Sequence, residues 1–159
     1  MKKIVIDPTI PQDFPDICRI EKECFSDPWS EASLRSAALN PRFVSFTALY
    51  GGKIAGYAFM FTIADECDIL NIAVAEKARR LGIGAALLSA LLEKAKERGS
   101  RNAYLEVRGS NTPAITLYEK FGFSPYGSRK GYYKDPPEDA VLMKKFLYPD
   151  EDENDNTCN

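Results

Sequence analysis

Apolar and polar positions alternate along this chain in blocks whose period changes from strand-like to helix-like and back. Residues 4–7 open with the apolar run Ile4-Val5-Ile6, which predicts a short first strand. Over residues 12–25, Phe14, Ile17, Cys18, Ile20, Cys24 and Phe25 recur near the helical period and predict a helix. Ser30 is a good N-cap for a second, short helix ending near Asn40-Pro41. Residues 43–50 are rich in β-formers, Gly51-Gly52 signals a hairpin, and residues 54–63 supply the partner strand. Residues 66–74 read as a further strand. Residues 85–98 predict a strong helix, apolar at Leu87, Leu88, Leu91, Leu92 and Ala95, with Gly99 as its stop. A strand over 102–107 follows. A helix over 112–121 comes next, with Pro113 early and Gly122 past its end. Residues 123–128 and 140–147 are the last strands, which leaves Tyr132 and Tyr133 in the loop between them.

The order β-α-α-β-β-β-α-β-α-β-β fits an α+β fold: a mixed, mostly antiparallel sheet flanked by helices, with antiparallel hairpins before one βαβ crossover. A doubly wound parallel sheet does not fit. With no internal repeat and no linker, residues 1–148 are expected to form one domain. Residues 149–159 are expected to be a disordered acidic tail.

Composition changes this picture in three places. The net charge of −2 is uneven: the tail holds Asp150, Glu151, Asp152, Glu153 and Asp155 and no base, so the rest of the chain carries +3. Such a tail either solubilises or attracts a basic partner. The chain has no histidine, which excludes Ser-His-Asp and Cys-His catalysis and His-ligated metals. Cys18, Cys24, Cys67 and Cys158 form no C-x-x-C pair, so the expectation is reduced thiols, no disulfide and no metal. No apolar run reaches the roughly 18 residues of a membrane span, and the N-terminus lacks a signal-peptide pattern; a cytoplasmic location, away from membranes, is expected.

The most informative stretch is Ile72-Ala73-Val74, then Arg79-Arg80-Leu81-Gly82-Ile83-Gly84-Ala85: a strand, a basic Gly-spaced loop and the first turn of a helix. The first four N–H groups of a helix lack internal partners and lie at the positive end of its dipole. With glycines letting the main chain approach, this is a cradle for a pyrophosphate. It is not a P-loop, since no Gly-x-x-x-x-Gly-Lys-Ser/Thr string exists. The dinucleotide fingerprint fits at Gly82-x-Gly84, but Leu87 stands where the third small residue belongs, even though Glu106 lies at a plausible distance for a ribose contact. A purely structural turn is the remaining alternative.

Arg79-x-x-Gly82-x-Gly84/Ala85 after an Ile-Ala-Val strand resembles the coenzyme A loop of the GCN5-related N-acetyltransferase (GNAT) superfamily. Leu105-Glu106-Val107-Arg108, Asn111, Ala114-Ile115-x-Leu117-Tyr118-Glu119-Lys120 and Phe121-Gly122-Phe123 resemble its later motif block. Asn71-Ile72-Ala73-Val74, the Leu-Glu-Val-Arg segment and Pro28-Trp29-Ser30 together resemble one branch, the ribosomal-protein-alanine N-acetyltransferases (RimI type). The resemblance spans nearly the whole chain except the tail. It implies the GNAT acyl-CoA N-acyltransferase fold with acetyl-CoA as co-substrate. Ile72, Ala73 and Val74 would then face the pantetheine and acetyl group, and the amides from Arg80 to Ala85, beside Arg79, the pyrophosphate. Asn111 would contact the cofactor, although by position it equally caps the following helix. The resemblance also implies Glu106 as proton acceptor and Tyr118 as proton donor to the departing thiolate.

In related N-terminal acetyltransferases the regions holding Phe25, Pro28 and Trp29, and Tyr132 and Tyr133, flank the first residues of the acceptor peptide. An α-amine, with a pKa of about 7.7–8.0, is partly neutral near pH 7, whereas a lysine amine at about 10.4 is not, so one carboxylate is adequate for an N-terminus. The expected acceptor is a protein N-terminus, by branch the alanine of a basic small-subunit ribosomal protein. No direct nucleic-acid contact is expected, and the protein is expected to be a monomer or weak dimer. No activated nucleophile is evident, which favours direct attack in a ternary complex. Two rivals stay open. One is transfer to lysine or a polyamine-like amine, for which Asp65, Glu66 and Asp68 are candidate acids. The other is a non-catalytic acetyl-CoA-binding module.

Overall fold

The structure, a computed structural model, describes residues 2–148; the tail at 149–159 lies outside the described residues. Within them the chain runs β1 (Ile4–Pro8), α1 (Phe14–Cys24), α2 (Glu31–Ala38), β2 (Phe43–Tyr50), β3 (Lys53–Ile63), β4 (Glu66–Val74), α3 (Ile83–Glu97), β5 (Asn102–Arg108), α4 (Thr112–Lys120), β6 (Ser124–Lys134) and β7 (Pro137–Phe146). The strands form one sheet in the order β1-β2-β3-β4-β5-β7-β6. Only β4 and β5 are parallel, joined by the α3 crossover. This is the α+β architecture expected from the order of patterns.

Strand alternation divides the core between two faces. Ala58 and Met60 of β3, Cys67 and Ile69 of β4, and Ala103, Leu105 and Val107 of β5 pack under Leu87, Leu88, Leu91 and Ala95 of α3. Tyr57 and Phe59 of β3 turn to the other face and meet Phe14, Ile17 and Ile20 of α1 and Leu34 of α2. Each large apolar side chain buried this way contributes about 1.5–3 kcal/mol, which fixes both helix layers on the sheet. The helix starts follow local chemistry. Ser30 accepts from the Ser33 N–H at 3.1 Å and opens α2 as predicted. Pro15, in the first turn of α1, has no N–H to donate, so the predicted single helix from residue 12 is a 3-10 turn (Pro11–Asp13) followed by α1.

One irregularity positions the site. The β3–β4 register jumps from Met60↔Ile69 to Phe59↔Asn71, so Leu70 is an extra residue in β4. Such a bulge bends its strand. Before it, β4 pairs with β5 from Glu66↔Asn102 to Ile69↔Leu105; beyond it, that ladder stops. Strand β5 continues instead along β7 as far as Arg108↔Ala140. A gap therefore opens between the C-terminal halves of two parallel strands, directly before the crossover helix.

The last hairpin differs from the sequence reading. Strand β6 runs to Lys134, not residue 128, so Tyr132 and Tyr133 lie within the strand, not in a loop. The reason is physical: β6 is an edge strand, exposed on both faces for almost its whole length, so it has no alternation to read. Gly127 and Gly131 imitate loop signals within it. Its register comes from β7, with Tyr133↔Glu138 re-forming the ladder after an irregularity at Arg129.

Candidate active site

The free half of β4 is one wall of the gap. Ala75 N–H donates to the Ala55 carbonyl of β3 at 2.8 Å, so strand alternation turns the N–H groups of Ile72 and Val74 the other way, into the gap. At its end the chain passes through Arg79, Arg80 and Leu81 to Gly82, the N-cap of α3. Arg80 (φ 64°) and Gly82 (φ 87°) are both left-handed. A non-glycine residue held there costs about 1–3 kcal/mol, strain localised in the loop read as a pyrophosphate cradle. The N–H groups of Ile83, Gly84 and Ala85 form the open first turn of α3. A Cβ placed on Gly84 would lie 3.5 Å from Leu117 Cδ2 and 3.9 Å from Val74 Cγ2, so the cradle abuts both the gap and α4. Arg80 is exposed beside it. The Arg79 side chain instead folds back, its Nε donating to the Val74 carbonyl at 3.3 Å and its Nη2 to Cys24 Sγ at 3.5 Å. It braces the end of β4.

The opposite wall is β5. As alternation predicts, Leu105 and Val107 are buried while Tyr104 and Glu106 face out beside the gap. Glu106 Oε2 accepts from the Tyr132 hydroxyl at 2.9 Å, and Arg129 lies 3.7 Å from Oε1. Asp68 of β4 shares this face; burial first, and then the Glu106 charge, hold its carboxyl above the usual range. Tyr133 is half-buried with Arg108 stacked over its ring at 4.3 Å. Burial, with Tyr132 and Glu106 nearby, pushes its hydroxyl up to about 12. Tyr118, on α4, is only 9 % exposed and meets Phe123 edge-on at 5.8 Å. Burial, with Tyr133 close by, pushes its hydroxyl up to about 12 as well. No hydrogen-bond partner for that hydroxyl stands among the described residues. Glu106 is thus linked through Tyr132 to Tyr133, which lies close to Tyr118, a chain of side chains drawn from three separate elements.

The loop between α1 and α2 covers this end. Trp29 is half-buried against Phe59, with ring centroids 6.3 Å apart; Pro28 is half-buried beside it, and Phe25 is exposed at the rim. Ser26 Oγ donates to the Asp135 carbonyl at the β6–β7 turn, which ties the two sides of the slot together. Arg108 holds the same turn, donating to the carbonyls of Pro136 at 2.9 Å and Asp135 at 3.1 Å. Asn111 caps α4, its Oδ1 accepting from Ala114 N–H at 3.3 Å, so the capping reading of that residue is the one its side-chain oxygen fulfils here. Cys67 is buried and its thiol is pushed up to about 12, which removes it from nucleophilic chemistry.

Sequence reasoning missed Glu21. It is completely buried, yet among the described residues its carboxylate meets no cation: Oε1 accepts from the Tyr57 hydroxyl at 2.8 Å and from Asn71 Nδ2 at 2.5 Å, and Oε2 from Trp29 N–H at 3.0 Å. The signal was present. Glu21 continues the Phe14-Ile17-Cys18 stripe at helical spacing, a charged residue where the pattern demands an apolar one.

The free half of β4, the open first turn of α3 and the Glu106–Tyr132–Tyr133 cluster near the buried Tyr118 make up the candidate site. Residues 14–123 match the model of the acetyltransferase (GNAT) family. The chain belongs to that family and is an N-acetyltransferase. Among its relatives, the [ribosomal protein bS18]-alanine N-acetyltransferase of Escherichia coli (strain K12) is 38 % identical over 133 residues, covering 82 % of this chain and 89 % of the relative. A putative [ribosomal protein bS18]-alanine N-acetyltransferase of Bacillus subtilis (strain 168) is 36 % identical, covering 83 % and 88 %. The crystal structure of the ribosomal-protein-S18-alanine N-acetyltransferase from Escherichia coli superposes with a TM-score of 0.85 at 34 % identity, over 95 % of this chain and 98 % of that one. Among the described residues, no helix is long and apolar enough to cross a membrane.

Proposed function

We propose that this enzyme moves an acetyl group from acetyl-CoA to the N-terminal α-amine of a protein, the acceptor being the terminal alanine of a small-subunit ribosomal protein, by direct attack in a ternary complex. The observation that carries the reading is the cluster beside the β4–β5 gap: Glu106 accepts from Tyr132, Tyr132 meets Tyr133 edge-on at 5.0 Å, and Tyr133 lies close to the buried Tyr118. The relatives' activity on bS18 supplies the acceptor class.

Each wall then has a task. The open first turn of α3, with Arg80 beside it, holds the pyrophosphate. The N–H groups of Ile72 and Val74 align the pantetheine and polarise the thioester carbonyl. Glu106, directly or through a water, takes the proton that the α-amine gives up as its nitrogen attacks the carbonyl carbon. As the C–N bond forms and the C–S bond breaks, Tyr118 donates its proton to the sulfur and recovers one from solvent. Its raised pKa makes it a weaker acid than an ordinary tyrosine but keeps it a donor at every working pH. Tyr132 and Tyr133 close the slot, and the hydrogen bond from Tyr132 fixes the Glu106 carboxylate.

The test is mass spectrometry of two peptides with acetyl-CoA. One begins with free Ala-Arg and has an internal lysine; the other is the same peptide with a blocked N-terminus. Acetylation of the free α-amine alone is the expected result. Acetylation of the blocked peptide moves the acceptor to lysine. Transfer to neither, with coenzyme A still bound, redirects the search to small amines facing Glu66 and Asp68.

A further inference from the structure

Among the described residues, the mechanism above leaves one buried carboxylate, Glu21, without a task. A carboxylate taken out of water without a counter-charge is costly, and its hydrogen bonds only offset that cost. Burial accordingly raises the Glu21 pKa, while the bonds from Tyr57, Trp29 and Asn71 oppose the rise. A Leu or Met at this position would fill the same volume without the desolvation cost but would leave the Tyr57 hydroxyl, Asn71 Nδ2 and Trp29 N–H without this acceptor. What the acid does is join four pieces of chain. From α1 it reaches β3 through Tyr57, the free half of β4 through Asn71, and the α1–α2 loop through the main-chain N–H of Trp29.

Asn71 is the first residue past the β4 bulge. The last turn of α1 holds the rest of the same segment: Cys24 Sγ lies 3.5 Å from the Val74 carbonyl, and Glu23 Oε1 accepts from Glu76 N–H at 3.0 Å. The loop that carries Phe25, Pro28 and Trp29 is therefore tied from within to the strand assigned to the thioester.

We propose that Glu21 is a positioning residue for acetyl transfer: by accepting from Trp29 N–H and Asn71 Nδ2 together, it sets the spacing between the acceptor slot and the acetyl-bearing strand. The inference rests on the acceptor reading of the α1–α2 loop. Glu21 touches neither substrate; it acts through the loop it holds. The spacing matters because a reaction between two bound partners is steeply sensitive to their alignment.

The chain's single tryptophan is Trp29, so the loop reports on itself. Glu21→Gln keeps the volume but replaces one acceptor oxygen with an NH2 group, and the three donors no longer find two acceptor oxygens. Expected in the full-length enzyme are a red-shifted Trp29 emission, easier quenching by acrylamide, and a KM for the Ala-Arg peptide raised about tenfold with kcat changed less than about threefold. Coenzyme A affinity stays at the wild-type value. Tyr57→Phe is the companion variant: it removes one donor but leaves the Trp29 bond, and it is expected to lower Tm without moving the peptide KM or the emission. A purely structural role predicts that both variants behave alike, and that result overturns the proposal. So does a Glu21→Gln enzyme whose peptide KM is unchanged, whether or not its fluorescence moves. If the wild-type enzyme acetylates neither peptide, the acceptor reading fails on its own. In that case an unchanged Trp29 signal in Glu21→Gln still overturns the hold on the loop.

Discussion

Replacing Tyr118 by Phe removes one oxygen from the centre of the site and separates catalysis from stability. The ring is buried and meets Phe123 edge-on, contacts that phenylalanine keeps. The hydroxyl has no hydrogen-bond partner among the described residues, so its loss forfeits no internal bond, and the folding free energy should change by less than about 1 kcal/mol. The cradle and the β4 wall are untouched, so coenzyme A should bind as before. On the proposed mechanism, however, the departing thiolate loses its donor. General acid catalysis contributes about 10²–10⁴ in rate, which corresponds to about 3–5 kcal/mol of barrier. The assay is thiol release during acetylation of the Ala-Arg peptide, run beside calorimetric coenzyme A binding and thermal melting on the same preparation. The expected pattern is kcat down at least about a hundredfold with affinity and Tm near wild type. A variant that keeps kcat within about threefold of wild type refutes the donor role, and a change confined to KM shows that Tyr118 aligns the substrate instead.

Three further outcomes follow from the same geometry. Glu106→Gln should cut kcat about a hundredfold or more while the Tyr132 hydroxyl keeps an oxygen to donate to; the 3.7 Å approach of the partly exposed Arg129 is worth little to stability, and circular-dichroism melting beside the rate assay checks the split. Gly56→Ala would place a Cβ 2.8 Å from the Ala73 carbonyl oxygen and 3.2 Å from Ile83 Cγ2, so it should cost about 1–3 kcal/mol and weaken coenzyme A binding by pushing α3 off the sheet; Gly84→Ala, whose nearest protein contact is 3.5 Å, should leave the melting temperature near wild type. Alkaline stability is the third. Tyr118 sits at about 12 in the fold and near 10 unfolded, so above pH 10 the folded state holds a proton that the unfolded state releases. Wild type should therefore lose about 2–3 kcal/mol relative to Tyr118→Phe as pH rises from about 10 to 12, measured by urea unfolding at fixed pH values; parallel curves for the two proteins would contradict the burial of that phenol.

The sequence by itself determined the order of elements, the Gly-spaced turn into α3 and the outward face of Glu106, because each of these is written in a short window. Ser30 caps α2 through atoms three residues away, the apolar stripe of α3 repeats within one helix, and Gly82 supplies the left-handed cap where the loop enters that helix. Alternation within β5 was enough to turn Glu106 away from the core. The tertiary structure decided what depends on partners far along the chain. Strand β6 has no buried face, and only its pairing with β7 extends it through Tyr132 and Tyr133. The gap exists because the Leu70 bulge ends the β4–β5 ladder, a register fact that no window containing Leu70 alone can show. Glu21 reads as a misplaced charge on a helix until Tyr57 and Asn71, 36 and 50 residues away, bring their donors to it. Local periodicity fixes where a side chain points, but whether it meets a core, a ligand or a hydrogen-bond donor is settled by long-range packing.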